Sequence, residues 1–468
     1  MAASSAPIPD IDATAPTGTR VWPSSASAYW ALFVIVLATF LVFFDAVTFG
    51  MLAEQIKTDF GLTDAQLGFL AGPASIICYF FVGIPLARLA DIYPRKYVLA
   101  GGAAIVGVII SLGGLAQNFT QFVMSRVFLA AGGSAHAPAA YSLLADAFPP
   151  KKLTRAFALL QFGFIGGTTI GPLVGGTLVV LSASWGTSEF LGLRIFGWQW
   201  ILIALGFPSL LVAGLFLTVK EPPRLAPSAD AVAPPRNAGF GRTVITFMGW
   251  DAAKAIHANR RVYYPMFGAL ALSAVEVFGI QFWRVPFMIR QFGWNPQEIG
   301  AALSLTILIA SLVGLPVGGF FVEWLAKRHK DANVRAAAII FAGTTTSTIT
   351  ALLMPTGWGS MIGFGFAAMF GIAGAVPQNA AIQRVAPNAM RGQVTAFYLF
   401  MFTFFGAMGS FFIGVVSDYV VRDPQKIGLS LLITASTLLP LATFLMYRAI
   451  QPYREEVVRL EALEQTST

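Results

Sequence analysis

Four residues of this 468-residue sequence carry charge or titratable chemistry inside apolar runs. Asp45 lies in Phe43-Phe44-Asp45-Ala46, and Glu276 lies in a comparable run in the second half of the chain. Arg126 and His136 share a third run, ten residues and nearly three helical turns apart. Ionisable groups in such runs are expensive to bury and mark ion pathways and proton relays. Burial and a nearby cation act on a carboxylate in opposite senses, so such a group can load a proton on one side and release it on the other. Asp45, His136 and Glu276 are therefore the candidate proton-coupling residues. The planar fork of Arg126 suits either a pair with Asp45 or a grip on an anionic head group, and, lying only a turn or two inside its run, it could instead snorkel to the interface.

Other chemistry is not written into the chain. It has no G-x-x-x-x-G-K-[ST] loop for ATP and no His/Cys spacing for a metal, and His136, His257 and His329 are scattered. Cys78, the lone cysteine, sits in an apolar run, so no disulfide framework exists. Neither an enzyme, nor a cofactor, nor a metal site is expected.

The elements that must position these residues are membrane-crossing helices. Hydrophobic residues make up 56% of the chain and charged ones 11%, with a mean hydropathy of +0.71; soluble domains carry about 25% charged residues. Apolar runs long enough for a hydrocarbon core of about 30 Å recur from Tyr29 to Tyr447. The alternation expected of a transmembrane barrel is missing. Spans fall near 29–53, 65–90, 97–117, 121–147, 153–182 and 197–219, then near 262–288, 297–325, 334–354, 359–382, 391–420 and 427–449. The fold class is thus an all-α membrane protein of twelve transmembrane helices. Its parts are a disordered tail 1–28, a six-helix bundle 29–219, a linker 220–261, a second bundle 262–450 and a tail 451–468. The first tail lacks the short apolar core of a signal peptide. In the last, Arg454 to Gln465 mix charges at helical spacing, which predicts a short solvated helix.

A net charge of +8 raises the question of nucleic acid, but the basic residues are distributed by topology. Of 30 Lys and Arg, 23 fall in the tails and even-numbered loops; six (Lys57, Arg194, Arg284, Arg290, Arg422 and Lys426) fall in or near the odd-numbered loops; Arg126 lies within a span. That asymmetry places both termini in the cytoplasm. No nucleic-acid partner is implied; the expected setting is a bacterial inner membrane.

The two halves repeat. Phe60-Gly61 is followed seven residues after its glycine by Gly68, and Phe292-Gly293 at the same interval by Gly300. Gly83-Ile84-Pro85 answers Gly314-Leu315-Pro316, and Asp91 and Glu323 each lie 31 residues after their phenylalanine. Two parallel six-helix repeats place a solute site between them near the midplane.

The segment Ala87-Arg88-Leu89-Ala90-Asp91-Ile92-Tyr93-Pro94-Arg95-Lys96 resembles the loop signature of the major facilitator superfamily, G-x-L-a-D-r-x-G-r-k, with Ala87, Ile92 and Pro94 as departures. The resemblance implies two bundles rocking about a central cavity. Asp91 would face the start of the eleventh helix near Arg391, and Glu323 the start of the fifth near Arg155. With Arg95 these form the expected cytoplasmic gate: Asp91, Arg95, Glu323 and Arg391. Gly132 to Phe148, with Lys151-Lys152, Asp45, Arg126 and Val416-Ser417-Asp418, is similar to the spinster branch of that superfamily, whose members move amphipathic lipids and, in bacteria, are thought to be proton-linked. The arginine usual after the first-span aspartate is here Ala46, and the usual fourth-span glutamate aligns with Gly133. His136, one turn further, is the candidate substitute.

The solute is expected to be amphipathic or an organic anion, held by Arg126, Gln281, Trp283, Arg284, Gln378, Asn379, Phe44 and Tyr398. The expected function is proton-coupled secondary transport by rocker-switch alternating access, with the solute, protons and the bilayer as partners and a monomer as the unit. A multidrug exporter is the nearest alternative, and a transporter-derived receptor or uncoupled channel is the alternative of another class.

Overall fold

The computed structural model describes residues 22–76, 93–134, 136–190, 192–222, 250–386 and 391–467. Asp91, Cys78 and most of the linker lie outside the described residues. Among the described residues, ten helices are long and apolar enough to cross a membrane. They are the first span Ser25–Met51, third Arg95–Gly113, fifth Pro150–Ala183, sixth Gly197–Thr218, seventh Arg260–Phe292, eighth Pro296–Ala326, ninth Ala332–Leu353, tenth Gly357–Val385, eleventh Arg391–Val415 and twelfth Ile427–Ser467. The second span opens with Asp64–Ala71, and the fourth comprises Phe119–Ser134 and His136–Ala147. The architecture is twelve helices in two halves of six.

The sequence repeat has a local cause. Gly61 and Gly293 end helices in the left-handed region, at φ +63° and +68°, where a Cβ would be strained. Two residues later Thr63 and Asn295 start the second and eighth spans with capping boxes closed by Gln66 and Glu298. Each half therefore makes the same turn from one helix into the next.

Spans one and five, and three and six, pack along each other in the first half; seven packs on eleven and twelve, and ten on eight and nine, in the second. The halves meet through spans two and eleven and through five and eight. Gly300 lets the eighth span lie directly on the Pro172 carbonyl of the fifth, where any Cβ would collide.

Three large apolar cores result, with a small fourth at Leu325, Ala332 and Ala336. One, on the odd-numbered-loop face, joins residues of both halves, including Phe49, Phe122, Trp198, Phe282, Trp283, Leu303 and Phe364. Toward the opposite face the cores separate: one uses only first-half residues such as Val34, Leu143 and Phe216, the other only residues from Ile256 onward, such as Tyr263, Val385 and Tyr453.

Two features depart from the sequence expectations. The loop after the fifth span folds into an antiparallel hairpin, Thr187–Phe190 with Leu193–Phe196. The C-terminal tail is not a short solvated helix: the twelfth span continues unbroken to Ser467, and Tyr453 and Val457 are 0% and 1% exposed. They pack in the core of Ile256 and Tyr263, while Asn259 Nδ2 donates to Glu456 at 3.1 Å. Burying one such aliphatic side chain outside the membrane contributes about 1.5–3 kcal/mol. Further along, Lys330 and Arg384 each reach Glu461 at 2.7 Å and hold its carboxyl below the usual glutamate range.

Candidate functional site

Within the first half, the first and fourth spans bring Asp45 and Arg126 together, Nη1 to Oδ2 at 3.5 Å. Both are buried, at 8% and 5% exposure. The separation exceeds that of a tight charge-assisted hydrogen bond, and Asp45 Oδ1 and Arg126 Nε have no partner. Arg126 lies over the Phe49 ring at 4.2 Å and the Phe122 ring at 5.1 Å, which excludes snorkelling to the surface here. Phe49 in turn stacks on Phe282 of the seventh span at 5.9 Å. The pair is thus coupled by ring contacts to the other half.

His136 is not brought to that pair. Its Nε2 lies 3.0 Å from the Thr39 hydroxyl, which also lies 2.9 Å from the Ile35 carbonyl. His136 lines a small cavity of about 30 Å³ between spans one, three, four and six, whose wall is otherwise apolar apart from Ser209. Gly133 borders the same cavity with open space where a side chain would project.

The second half differs. Glu276, 1% exposed, lies beside Thr434, whose hydroxyl bonds the Ser430 and Leu431 carbonyls of its own helix at 3.1 and 3.0 Å, and neither carboxylate oxygen makes a close hydrogen bond among the described residues. Arg284, 9% exposed, sits 5.9 Å from the Phe364 ring and makes no hydrogen bond or ion pair among the described residues. Gln281 is exposed on the same helix. Trp283 is fixed by its Nε1–H donating to the Ser410 carbonyl at 2.7 Å. Tyr398 is buried against Phe402 and Phe267, and Phe44 against Phe40. Gln378 and Asn379 are half-buried, and Asn379 Nδ2 is satisfied by Ala375 of its own helix at 2.8 Å.

The sequence did not point to the polar seal on the odd-numbered-loop face. Arg290, at the end of the seventh span, forks onto both oxygens of Asp64 at 2.9 Å and reaches Glu54 at 2.7 Å. Asp64 is fully buried and is also held by Lys57 and by the Ser417 hydroxyl at 2.7 Å. Asp418 accepts from the backbone N–H groups of Asp64 and Ala65 at 3.2 and 2.7 Å, a carboxylate at the positive end of the second span. Deeper in, Ser410 donates to Gly68 and Ser304 to Thr169, again across the halves. Among the described residues, every hydrogen bond and ion pair between the halves lies on this side of the molecule.

The opposite face carries no such strap among the described residues. Glu323 and Arg391 are exposed and make no ion pair with any described residue, and Asp91 is outside the described residues. Arg95, expected at a gate between the halves, instead binds Asp146 and Glu221 of its own half, with Glu221 at 2.8 Å. Glu221 also accepts from the backbone N–H groups of Arg95 and Lys96, capping the third span. Arg95 therefore ties the ends of spans three, four and six together. No group of three metal-ligating side chains occurs among the described residues.

Comparison with known proteins agrees with this architecture. The family model described as the Major Facilitator Superfamily matches residues 35–410. An MFS-type efflux pump of Mycolicibacterium smegmatis is 24% identical over 92% of this chain and 94% of its own. Protein spinster of Drosophila melanogaster is 21% identical over 90% of this chain and 67% of its own. The crystal structure of a bacterial homolog to the human lysosomal transporter spinster, in an inward-facing and unoccupied conformation, superposes with a TM-score of 0.72 at 21% identity, covering 93% of this chain and 98% of that one. At that identity the likeness concerns the fold.

Proposed function

This chain belongs to the Major Facilitator Superfamily, and from that premise we propose that it is a proton-coupled secondary transporter of an amphipathic or organic-anion solute. It resides in the bacterial inner membrane with both termini in the cytoplasm. It works as a monomer whose two bundles, 29–219 and 262–450, rock about a site between them.

The observation that carries alternating access is the arrangement of cores. One apolar core and one polar seal bind the halves on the odd-numbered-loop face, while on the other face, among the described residues, the cores are separate and no hydrogen bond or ion pair bridges them. With the orientation proposed above, this is the inward-facing state. Outward opening requires Arg290 to leave Asp64 and Glu54.

Coupling is assigned to Asp45. A neutral Asp45 frees Arg126 from its counter-charge, and a charged Asp45 recaptures it, so the proton changes what Arg126 does beside the Phe49–Phe282 contact. His136 and Glu276, the other residues expected to couple, lie apart from this pair and are not needed for that exchange. The solute lies between Arg126 and Arg284, bordered by Gln281, Gln378 and Asn379. Solute accumulation in proteoliposomes driven by an imposed pH gradient, and abolished by a protonophore, is the expected result. Accumulation indifferent to both would contradict coupling.

A multidrug exporter is the second reading, favoured by the similarity to the mycobacterial efflux pump. It predicts broad substrate use that survives neutralisation of Arg126.

A further inference from the structure

Arg284 is a buried cation without an anion. Its guanidinium offers five N–H donors, yet it makes no hydrogen bond and no ion pair among the described residues, and its Nε is fully enclosed. Arg126, the buried arginine of the first half, has Asp45. An uncompensated buried charge is strongly unfavourable unless a partner arrives from outside the chain. The Phe364 ring at 5.9 Å is a weak substitute, at the limit of cation–π distance.

The same helix grades in polarity away from this cation. Gln281 lies one turn from Arg284 toward the unsealed face, exposed and without a hydrogen bond among the described residues. Val277 and Phe278, a further turn along, remain 41% and 38% exposed, though both sit within a membrane span. A charged end, an amide and an apolar stretch follow one another along one side of the seventh span.

Resting on the organic-anion reading, we propose that Arg284 is the anchor for the single anionic head group of an amphipathic solute, a carboxylate, sulfonate or phosphate ester. The head group enters the guanidinium fork with Gln281 as a neutral hydrogen-bond partner. The apolar tail lies along Val277 and Phe278, pointing away from the sealed face. Arg126, already paired, serves coupling instead. The two arginines thus divide the work.

The test uses the purified full-length protein in a neutral maltoside detergent, with thermal unfolding as readout. The probes are decanoate, decanol and decyltrimethylammonium. Decanoate alone is expected to raise the melting temperature of the wild type. Arg284→Met should melt higher than the wild type without probe, because an uncompensated charge has gone, and its apparent affinity for decanoate should fall about tenfold or more. Arg284→Lys, which keeps the charge without the fork, should retain weakened binding. If Arg284→Met melts lower than the wild type and still responds to decanoate as the wild type does, the inference is overturned while the organic-anion reading stands. If no probe stabilises the wild type and Arg284→Met melts no higher, the inference and that reading fall together.

Discussion

The first and seventh spans occupy equivalent places in the two halves and each carries a buried carboxylate, yet their surroundings differ. Asp45 has Arg126 3.5 Å away. Among the described residues Glu276 has no cation, and the arginine of its own helix, Arg284, has no carboxylate. Duplication of the helices has therefore not duplicated the chemistry. A compensated pair can exchange a proton and return to its starting arrangement, whereas an uncompensated cation awaits a ligand. Under the proposed function, coupling falls to the first half and recognition to the second.

The largest expected effect comes from breaking the compensated side. Arg126→Leu leaves Asp45 buried and alone, and should cost about 3–5 kcal/mol of stability along with solute accumulation. Thermal unfolding of the purified variant measures the first, and proteoliposome uptake the second. Adding Asp45→Asn to Arg126→Leu should restore part of the stability. A double variant less stable than the single one would show that the pair is not the source of the loss.

Next in size is the seal. Arg290→Gln removes the fork on Asp64 and its reach to Glu54, and should move the equilibrium toward the state open on the odd-numbered-loop face by about tenfold. A cysteine at Gln281, labelled by an impermeant maleimide from that side, should react correspondingly faster. An unchanged rate would leave the closure to apolar packing alone. Because this seal bridges both halves, it acts on pair and cation alike and sharpens which of the two senses the opening.

The smallest effect is expected at Glu276. Gln has nearly the shape of Glu and Glu276 has no cation to lose among the described residues, so Glu276→Gln should destabilise less than Arg126→Leu and leave gradient-driven uptake in place. Loss of coupling equal to that of an Asp45 variant would restore symmetry between the halves and break the comparison.

Much of this was readable in the chain. Twelve spans follow from the apolar runs, and the Phe60-Gly61 and Phe292-Gly293 repeat proves to be a helix stop followed by a capping box, each set by local backbone chemistry. The Asp45–Arg126 pair was accessible because two opposite charges in apolar spans have few other partners. The Arg290–Asp64–Glu54 seal was not: these residues lie 226 and 236 positions apart, and no local spacing announces a contact made only when two halves close. Arg95 was read as part of a gate, but its partners Asp146 and Glu221 are placed by the packing of three helix ends. The tail beyond Gln451 looked solvated because its charges dominate, while the two residues that bury it, Tyr453 and Val457, are one turn apart and hidden among them.

Asp45→Asn tests the account most directly. In proteoliposomes with an imposed pH gradient, the variant should lose gradient-driven solute accumulation by about a hundredfold while retaining solute counterflow, since binding and rocking remain intact. Gradient-driven accumulation equal to the wild type would contradict the assignment of coupling to the first half.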